Sequence, residues 1–181
     1  QFRVDNKSIR IPNLGWVKMT EALRYKGKIL SAKVFKQGAK WFVSIAVELT
    51  QIEKLKSKTG LSIGVDLGVS NLATLSNGEI IPSNAPLKRQ LGKLRRLNKS
   101  LSRKKKRSQN REKAKTKLSR LHYKIACLRK NNLHQVTTDL VTRFDVIAIE
   151  DLNVRGMVKN RKLARAISDM GFYEFKRQLI Y

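Results

Sequence analysis

The chain has 181 residues, of which 41% are hydrophobic, and this is enough apolar material for a folded core. Lys and Arg number 40 against 13 Asp and Glu; the formal net charge of +27 makes a polyanion, above all nucleic acid, the expected partner. The single cysteine, Cys127, excludes an internal disulfide, and the sequence has no run of about 18 apolar residues that could cross a membrane.

The first part of the chain, residues 1–56, is predicted to form a small β module. Residues 28–35 and 41–49 alternate apolar and polar side chains on either side of a Gln-Gly turn, which is the pattern of a β-hairpin. Trp16 and Trp41 are expected in the core of this module, and stacking of either ring on RNA bases is the alternative.

Residues 57–181 are predicted to form a second domain of the α/β class. An apolar strand at 61–67 is followed by two short strands around Asn77-Gly78, a dipeptide that favours a tight hairpin turn. A further apolar strand is predicted at 145–150. Its continuous Val/Ile run is typical of a sheet that is covered on both faces.

Two amphipathic helices are predicted between these strands. Apolar residues recur at spacings of three and four over 87–101, and again over 118–140. Pro86 opens the first helix, with Asn84 as a possible cap. A basic break at 103–110 joins the two helices, so the pair is interpreted as an antiparallel helical hairpin.

Most of the positive charge lies on this hairpin. Between Lys88 and Lys130 there are 19 Lys and Arg against one acid, Glu112, which is +18 of the total +27. A solvated helix face is the alternative, but such faces are usually stabilised by Glu–Lys pairs, which are rare here. The pattern therefore predicts a surface that follows phosphates. The candidate nucleic-acid-binding residues are Arg95, Arg96, Arg103, Lys104, Lys105, Lys106, Arg107, Arg111, Lys115, Arg161 and Lys162.

The last part of the chain is predicted as a loop followed by helix. Residues 154–160 contain a glycine and read as a loop, whereas 162–181 carry a helical apolar pattern that includes Leu163. Asp169 falls within this stretch and is interpreted as a helix or loop cap.

Two carboxylates stand out because each lies near the end of an apolar strand in a chain that is poor in acid. Asp66 and Glu150 are the candidate catalytic and metal-binding residues, since an acid on a core strand is costly unless it binds a cation. Gly64 and Gly68 flank Asp66 and leave space for a phosphodiester. A capping turn residue and a solvated strand end are the alternatives for the two acids.

Several motifs carry a resemblance to a known family. These are Ile-Gly-Val-Asp-Leu-Gly at 63–68, the basic stretch from 101, Ile-Glu-Asp-Leu-Asn-Val-Arg-Gly-Met at 149–157, and shorter matches at 12–17, 41–45 and 162–169. In this order and spacing they resemble the TnpB (OrfB) proteins of insertion sequences, relatives of the type V CRISPR nucleases.

The resemblance implies an RNase H-like (RuvC) mixed sheet with an inserted basic helical hairpin, preceded by a partial β-barrel, wedge-like module. It implies a cytoplasmic, bacterial or archaeal RNA-guided DNA endonuclease whose partners are guide RNA and target DNA, with no membrane. By motif, Asp66 corresponds to the first catalytic carboxylate and Glu150 to the second, around Mg²⁺ in a two-ion site.

The chain departs from the family pattern at its end. The third catalytic Asp of the family follows a Cys-x-x-Cys zinc ribbon, and the sequence to Tyr181 contains neither. We therefore expect a fragment that lacks N-terminal and C-terminal parts, with an incomplete Mg²⁺ site and no zinc, which binds nucleic acid but cleaves poorly alone. The alternatives are an inactive RNA- or DNA-binding module, such as a guide-directed repressor or truncated regulatory product, and a general RNA-binding protein.

Overall fold

The computed structural model describes residues 3–49 and 60–180. The chain divides into two compact units, Gln1–Leu55 and Lys56–Tyr181. Over the described residues, no helix combines the length and the apolar character that crossing a bilayer requires.

The first unit consists of two antiparallel sheets. The predicted hairpin is confirmed, but its turn lies one residue later than predicted, because Gln37 pairs with Lys40. Gly38 and Ala39 have φ values of 59° and 69°, as the type I′ turn of a two-residue hairpin requires. The other sheet has three strands in the order β1-β2-β3. The strands are β1 (Arg3–Asp5), β2 (Ser8–Ile11), β3 (Gly15–Lys18), β4 (Lys28–Gln37) and β5 (Lys40–Glu48).

The predicted tryptophan core of this unit is wrong. Trp16 is 56% exposed and Trp41 is 70% exposed, whereas Ile9 is the residue that the described part of the unit buries. The reason is that the two sheets do not close into a barrel over the described residues, so these rings have no second layer to pack beneath.

The second unit is built on a mixed four-stranded sheet in the order β8-β7-β6-β9. The first three strands form the predicted antiparallel meander, and Gly78 takes a φ of 88° in its last turn. The last strand follows the helices and pairs in parallel with β6. The strands are β6 (Ser62–Leu67), β7 (Asn71–Leu75), β8 (Ile80–Pro82) and β9 (Val146–Ile149).

Five helices accompany this sheet within the described residues. The first two form the predicted hairpin, held together by Leu94, Leu121 and Ile125. Ser108 caps the second helix by accepting a hydrogen bond from the Arg111 amide at 3.2 Å. The helices are α1 (Pro86–Ser102), α2 (Gln109–Arg143), α3 (Val154–Met157), α4 (Ala164–Met170) and α5 (Phe172–Ile180).

The two faces of the sheet differ. One face packs against α2, α4 and α5 in a buried cluster that includes Ile63, Val65 and Leu75. The expectation that β9 is covered on both faces is wrong for the described residues, because Val146 is 61% exposed and Ala148 is also exposed. The strand is apolar on both sides but lies at the edge of the sheet, and the helices cover one side of it.

The C-terminal region differs from the prediction in two details. The predicted loop contains the short helix α3, which begins where the Asn153 side chain accepts a hydrogen bond from the Gly156 amide at 2.9 Å. The single predicted helix is broken at Gly171, whose φ of 76° ends α4 before α5 starts. Leu163, which the predicted helical pattern includes, precedes α4 and is 46% exposed.

Candidate metal and nucleic-acid sites

The structure brings the two predicted carboxylates together. Strands β6 and β9 pair in parallel up to Val65 and Ile149, and Asp66 and Glu150 are the next residues of the two chain segments. Neighbouring strands lie about 4.8 Å apart, and residues in register on parallel strands project to the same face. The two acids therefore lie side by side, and both are exposed on the face of the sheet opposite the helices.

The positions next to this pair of acids on the same face of the sheet carry small side chains. Gly64 and Ala148 precede the two acids by two residues, so the neighbouring positions on this face carry a hydrogen atom and a methyl group. The Gly64 amide donates to the Ser76 hydroxyl at 3.0 Å, which ties this spot to the end of β7. A Cβ atom at Gly64 would lie 3.4 Å from the Ser76 Cβ atom, so Ser76 borders the pair on this side.

Glycine is favoured at position 68 for a different reason from the predicted one. A Cβ atom at this position would lie 3.2 Å from the backbone oxygen of Asn71, which is closer than most such contacts. The residue is therefore favoured by the tight connection between β6 and β7, rather than by space for a ligand.

Asp151, which follows Glu150, and Asp169, on α4, make contacts elsewhere in the protein. Asp151 forms an ion pair with Lys176 of α5, and the hydrogen bond from that lysine lowers the pKa of Asp151. Asp169 is 3% exposed and accepts hydrogen bonds from the amides of Leu87 and Lys88, so its predicted role as a cap is confirmed. Asn84 does not cap α1, since its amide group bonds to Asn132.

The donor set fits one divalent cation with hard-oxygen preference. Within residues 3–49 and 60–180 there is no group of three or more His, Cys, Asp or Glu side chains that could hold a metal ion. Two carboxylates suffice for a single Mg²⁺, because this ion keeps several of its waters. A second ion would need further oxygen ligands, which the described residues do not provide at this place.

The basic hairpin forms a second candidate site, which we call the basic arm and define as residues 86–130. Its apolar stripe packs between α1 and α2, and most of its cations are exposed. Its one acid, Glu112, lies 3.9 Å from Lys115. Of the predicted residues, those that are exposed are Arg95, Arg96, Arg103, Lys105, Lys106, Arg107, Lys115, Arg161 and Lys162.

Two arginines of the arm have intramolecular roles that a residue count does not reveal. The Arg111 guanidinium donates to the backbone oxygens of Leu101 at 2.9 Å and Lys104 at 3.2 Å, so it closes the connection between the two helices. Arg129 pairs with the buried Asp169 at 3.1 Å. A charge that folds back on the protein in this way is less available to a phosphate.

The chain matches known proteins over most of its length. Residues 44–161 match the family model OrfB_IS605, described as "Probable transposase". The chain is 35% identical to "Putative RNA-guided DNA endonuclease InsQ" of Escherichia coli K12, over 98% of this chain and 48% of that protein. It is 40% identical to "Putative RNA-guided DNA endonuclease" of Streptomyces pristinaespiralis, over 80% of this chain and 36% of that protein.

The fold and these similarities together identify the family of the chain. The chain combines a mixed α/β sheet, paired acids and a basic arm, and it belongs to the OrfB family of insertion-sequence proteins. It spans less than half the length of these curated relatives. The resemblance stated from the motifs is therefore confirmed at the level of the family.

Proposed function

We propose that the chain is the RNase H-like (RuvC) part, with a wedge-like β module, of an RNA-guided DNA endonuclease. In this proposal Asp66 and Glu150 hold Mg²⁺ and the basic arm lies along a guide RNA–target DNA heteroduplex. The observation that carries the proposal is the parallel register of β6 and β9, which sets the two acids next to each other on an open face.

The residues of this chain would contribute binding and orientation. Asp66 and Glu150 would present carboxylate oxygens to the ion, which when bound activates water or steadies a leaving oxygen in phosphodiester hydrolysis. The arm would supply affinity that is independent of sequence and strongly dependent on salt, while base pairing with the guide would read the target. The small residues next to the acids would let a phosphodiester approach them.

The small number of metal ligands at this place supports a second candidate function. Because the described residues contribute two carboxylates and no group of three at this place, a module that grips RNA and DNA without cutting fits the same geometry. The two functions share the arm and differ in whether the acids bind a divalent ion.

The experiment measures Mn²⁺ binding to the purified chain by electron paramagnetic resonance of the free ion. We expect one site, whose affinity falls by about tenfold or more in Asp66→Asn and in Glu150→Gln. Asp151→Asn is the matched control, since this acid is adjacent to Glu150 but paired with Lys176. Equal Mn²⁺ affinity in the wild-type protein and the three variants would contradict the metal site and favour a module that binds nucleic acid without cutting it.

Cleavage is the second readout. We expect the chain alone to bind a heteroduplex and to show little Mg²⁺-dependent cleavage of DNA. Robust cleavage that disappears in Asp66→Ala would contradict the expected incompleteness of the site, while supporting the assignment of Asp66.

A further inference from the structure

Helix α1, the first helix of the basic arm, begins without a cap of its own. Its N-cap residue is Ala85, which has a left-handed φ of 37° and no side-chain oxygen to accept a hydrogen bond. Pro86 follows and has no amide hydrogen. The amides of Leu87 and Lys88 are therefore the first donors of the helix that need an acceptor from elsewhere in the protein.

Asp169 supplies that acceptor from the other end of the domain's sequence. Its two carboxylate oxygens accept from the amides of Leu87 and Lys88, each at 3.0 Å. The side chain is 3% exposed, so both bonds are sheltered from water. A negative charge at a helix N-terminus is further favoured by the helix dipole.

The same residue also holds the second helix of the arm. The Arg129 guanidinium donates to one Asp169 carboxylate oxygen at 3.1 Å and to the Asp169 backbone oxygen at 3.0 Å. The Arg129 side chain is 28% exposed, so the buried acid has a partly buried cation as its counter-charge. One aspartate thus joins α1, α2 and α4.

Helix α4 belongs to the core that supports the sheet. Ile167 and Met170, on either side of Asp169 in sequence, are 1% and 5% exposed and pack in the same cluster as Ile63 and Val65 of β6. Asp169 therefore connects the basic arm to a helix whose neighbouring residues pack in the core of the sheet.

We propose that Asp169 is a positioning residue: it fixes the direction of the basic arm relative to the sheet, and so sets how well arm and sheet together grip a nucleic acid. The effect on affinity rests on the proposed function, whereas the effect on the direction of the arm does not. Asparagine replaces the aspartate only in part: its single oxygen can accept from Leu87 and Arg129, but its NH₂ group cannot accept from the Lys88 amide, and the charge opposite Arg129 is lost.

The first test compares the affinity of Asp169→Asn and wild-type protein for an RNA–DNA heteroduplex of about 20 base pairs. Asp139→Asn is the matched control, because it also removes one negative charge, from an exposed ion pair with Arg143 within α2. Charge alone predicts equal or slightly tighter binding by both variants. The proposal predicts binding that is about fivefold or more weaker in Asp169→Asn alone.

The second test measures the direction of the arm without any ligand. Spin labels at Lys105→Cys, on the connection between α1 and α2, and at Ser62→Cys, on the open face of the sheet, report their distance in a Cys127→Ser background. We expect Asp169→Asn to broaden or shift the distance distribution, and Asp139→Asn to leave it unchanged. An unchanged distribution in folded Asp169→Asn overturns the proposal, whatever the affinity.

If Asp169→Asn does not fold, Arg129→Gln takes its place in both tests, because it keeps the bonds from Leu87 and Lys88 and removes the ion pair. Lys130→Gln is its control, since it removes the same charge from the next, exposed residue. A broadened distribution in Arg129→Gln alone supports the proposal, and identical behaviour of the two variants overturns it. Failure of the wild-type protein to bind the heteroduplex would count against the proposed function and leave the distance test valid.

Discussion

The two faces of the four-stranded sheet are built from alternate residues of the same strands and have opposite properties. On β6, Ile63 and Val65 are 6% and 4% exposed beneath the helices, whereas Ser62 and Asp66 are exposed on the other side. One face therefore holds the domain together and the other presents the acids. Folding and ion binding should respond to different substitutions, even at positions that are neighbours in the sequence.

The largest effect is expected from a cavity on the covered face. Leu75 is 2% exposed in the core cluster, so Leu75→Ala should lower the free energy of unfolding by about 2–5 kcal/mol. Thr74, its neighbour on β7, is exposed on the open face, and Thr74→Ala should change stability by about 0.5 kcal/mol or less. Urea unfolding followed by circular dichroism measures both. Similar losses in the two variants would mean that the open face is packed in solution.

The basic arm should carry the salt dependence of nucleic-acid binding. Lys105 and Lys106 are exposed on the connection between α1 and α2. The logarithm of the binding constant falls linearly with the logarithm of the salt concentration. Replacing both lysines with Gln should make this slope shallower by about 0.9 for each phosphate contact that is lost. Lys7→Gln with Lys18→Gln removes the same charge from the β module. Fluorescence anisotropy at several salt concentrations gives the slopes, and an equal reduction in both pairs would argue against phosphate binding specific to the arm.

The smallest effect concerns Glu174 on α5. Hydrogen bonds from Arg177 lower the pKa of Glu174 to about 2, against partial burial that raises it. Because the folded pKa lies below the ordinary 4.5, the contribution to stability is present above pH 4.5 and is lost as the pH falls towards 2.

The pair is partly exposed, so Glu174→Gln should cost about 1 kcal/mol or less at neutral pH. Thermal unfolding of both proteins across this pH range gives the comparison. The stabilities of the two proteins should converge near pH 2, and a constant difference at all pH values would contradict the ion-pair explanation.

Local patterns predicted the elements whose causes are local. The β4–β5 hairpin follows from alternation and a turn dipeptide, and the hairpin of α1 and α2 follows from apolar spacings of three and four. The proximity of Asp66 and Glu150 was also predictable, since both acids sit at strand ends, although their register was not.

Features that depend on distant parts of the chain were not predictable in the same way. The cap of α1 comes from Asp169, more than 80 residues later, and the sequence before the helix suggested Asn84 instead. Its hydrophobicity predicts a core position for Trp16, but burial requires a second layer of structure that the described residues do not supply. Likewise, a charge count does not reveal that Arg129 faces inward to an acid.

The central claim is that Asp66 and Glu150 bind one divalent ion between them. Paramagnetic broadening by Mn²⁺ of the side-chain ¹³C carboxylate signals tests it most directly in the unmodified chain. We predict that both signals broaden together at substoichiometric Mn²⁺, before those of Asp151 and Glu112. Broadening of one of the two signals without the other, or of all four at the same concentration, would contradict the shared site.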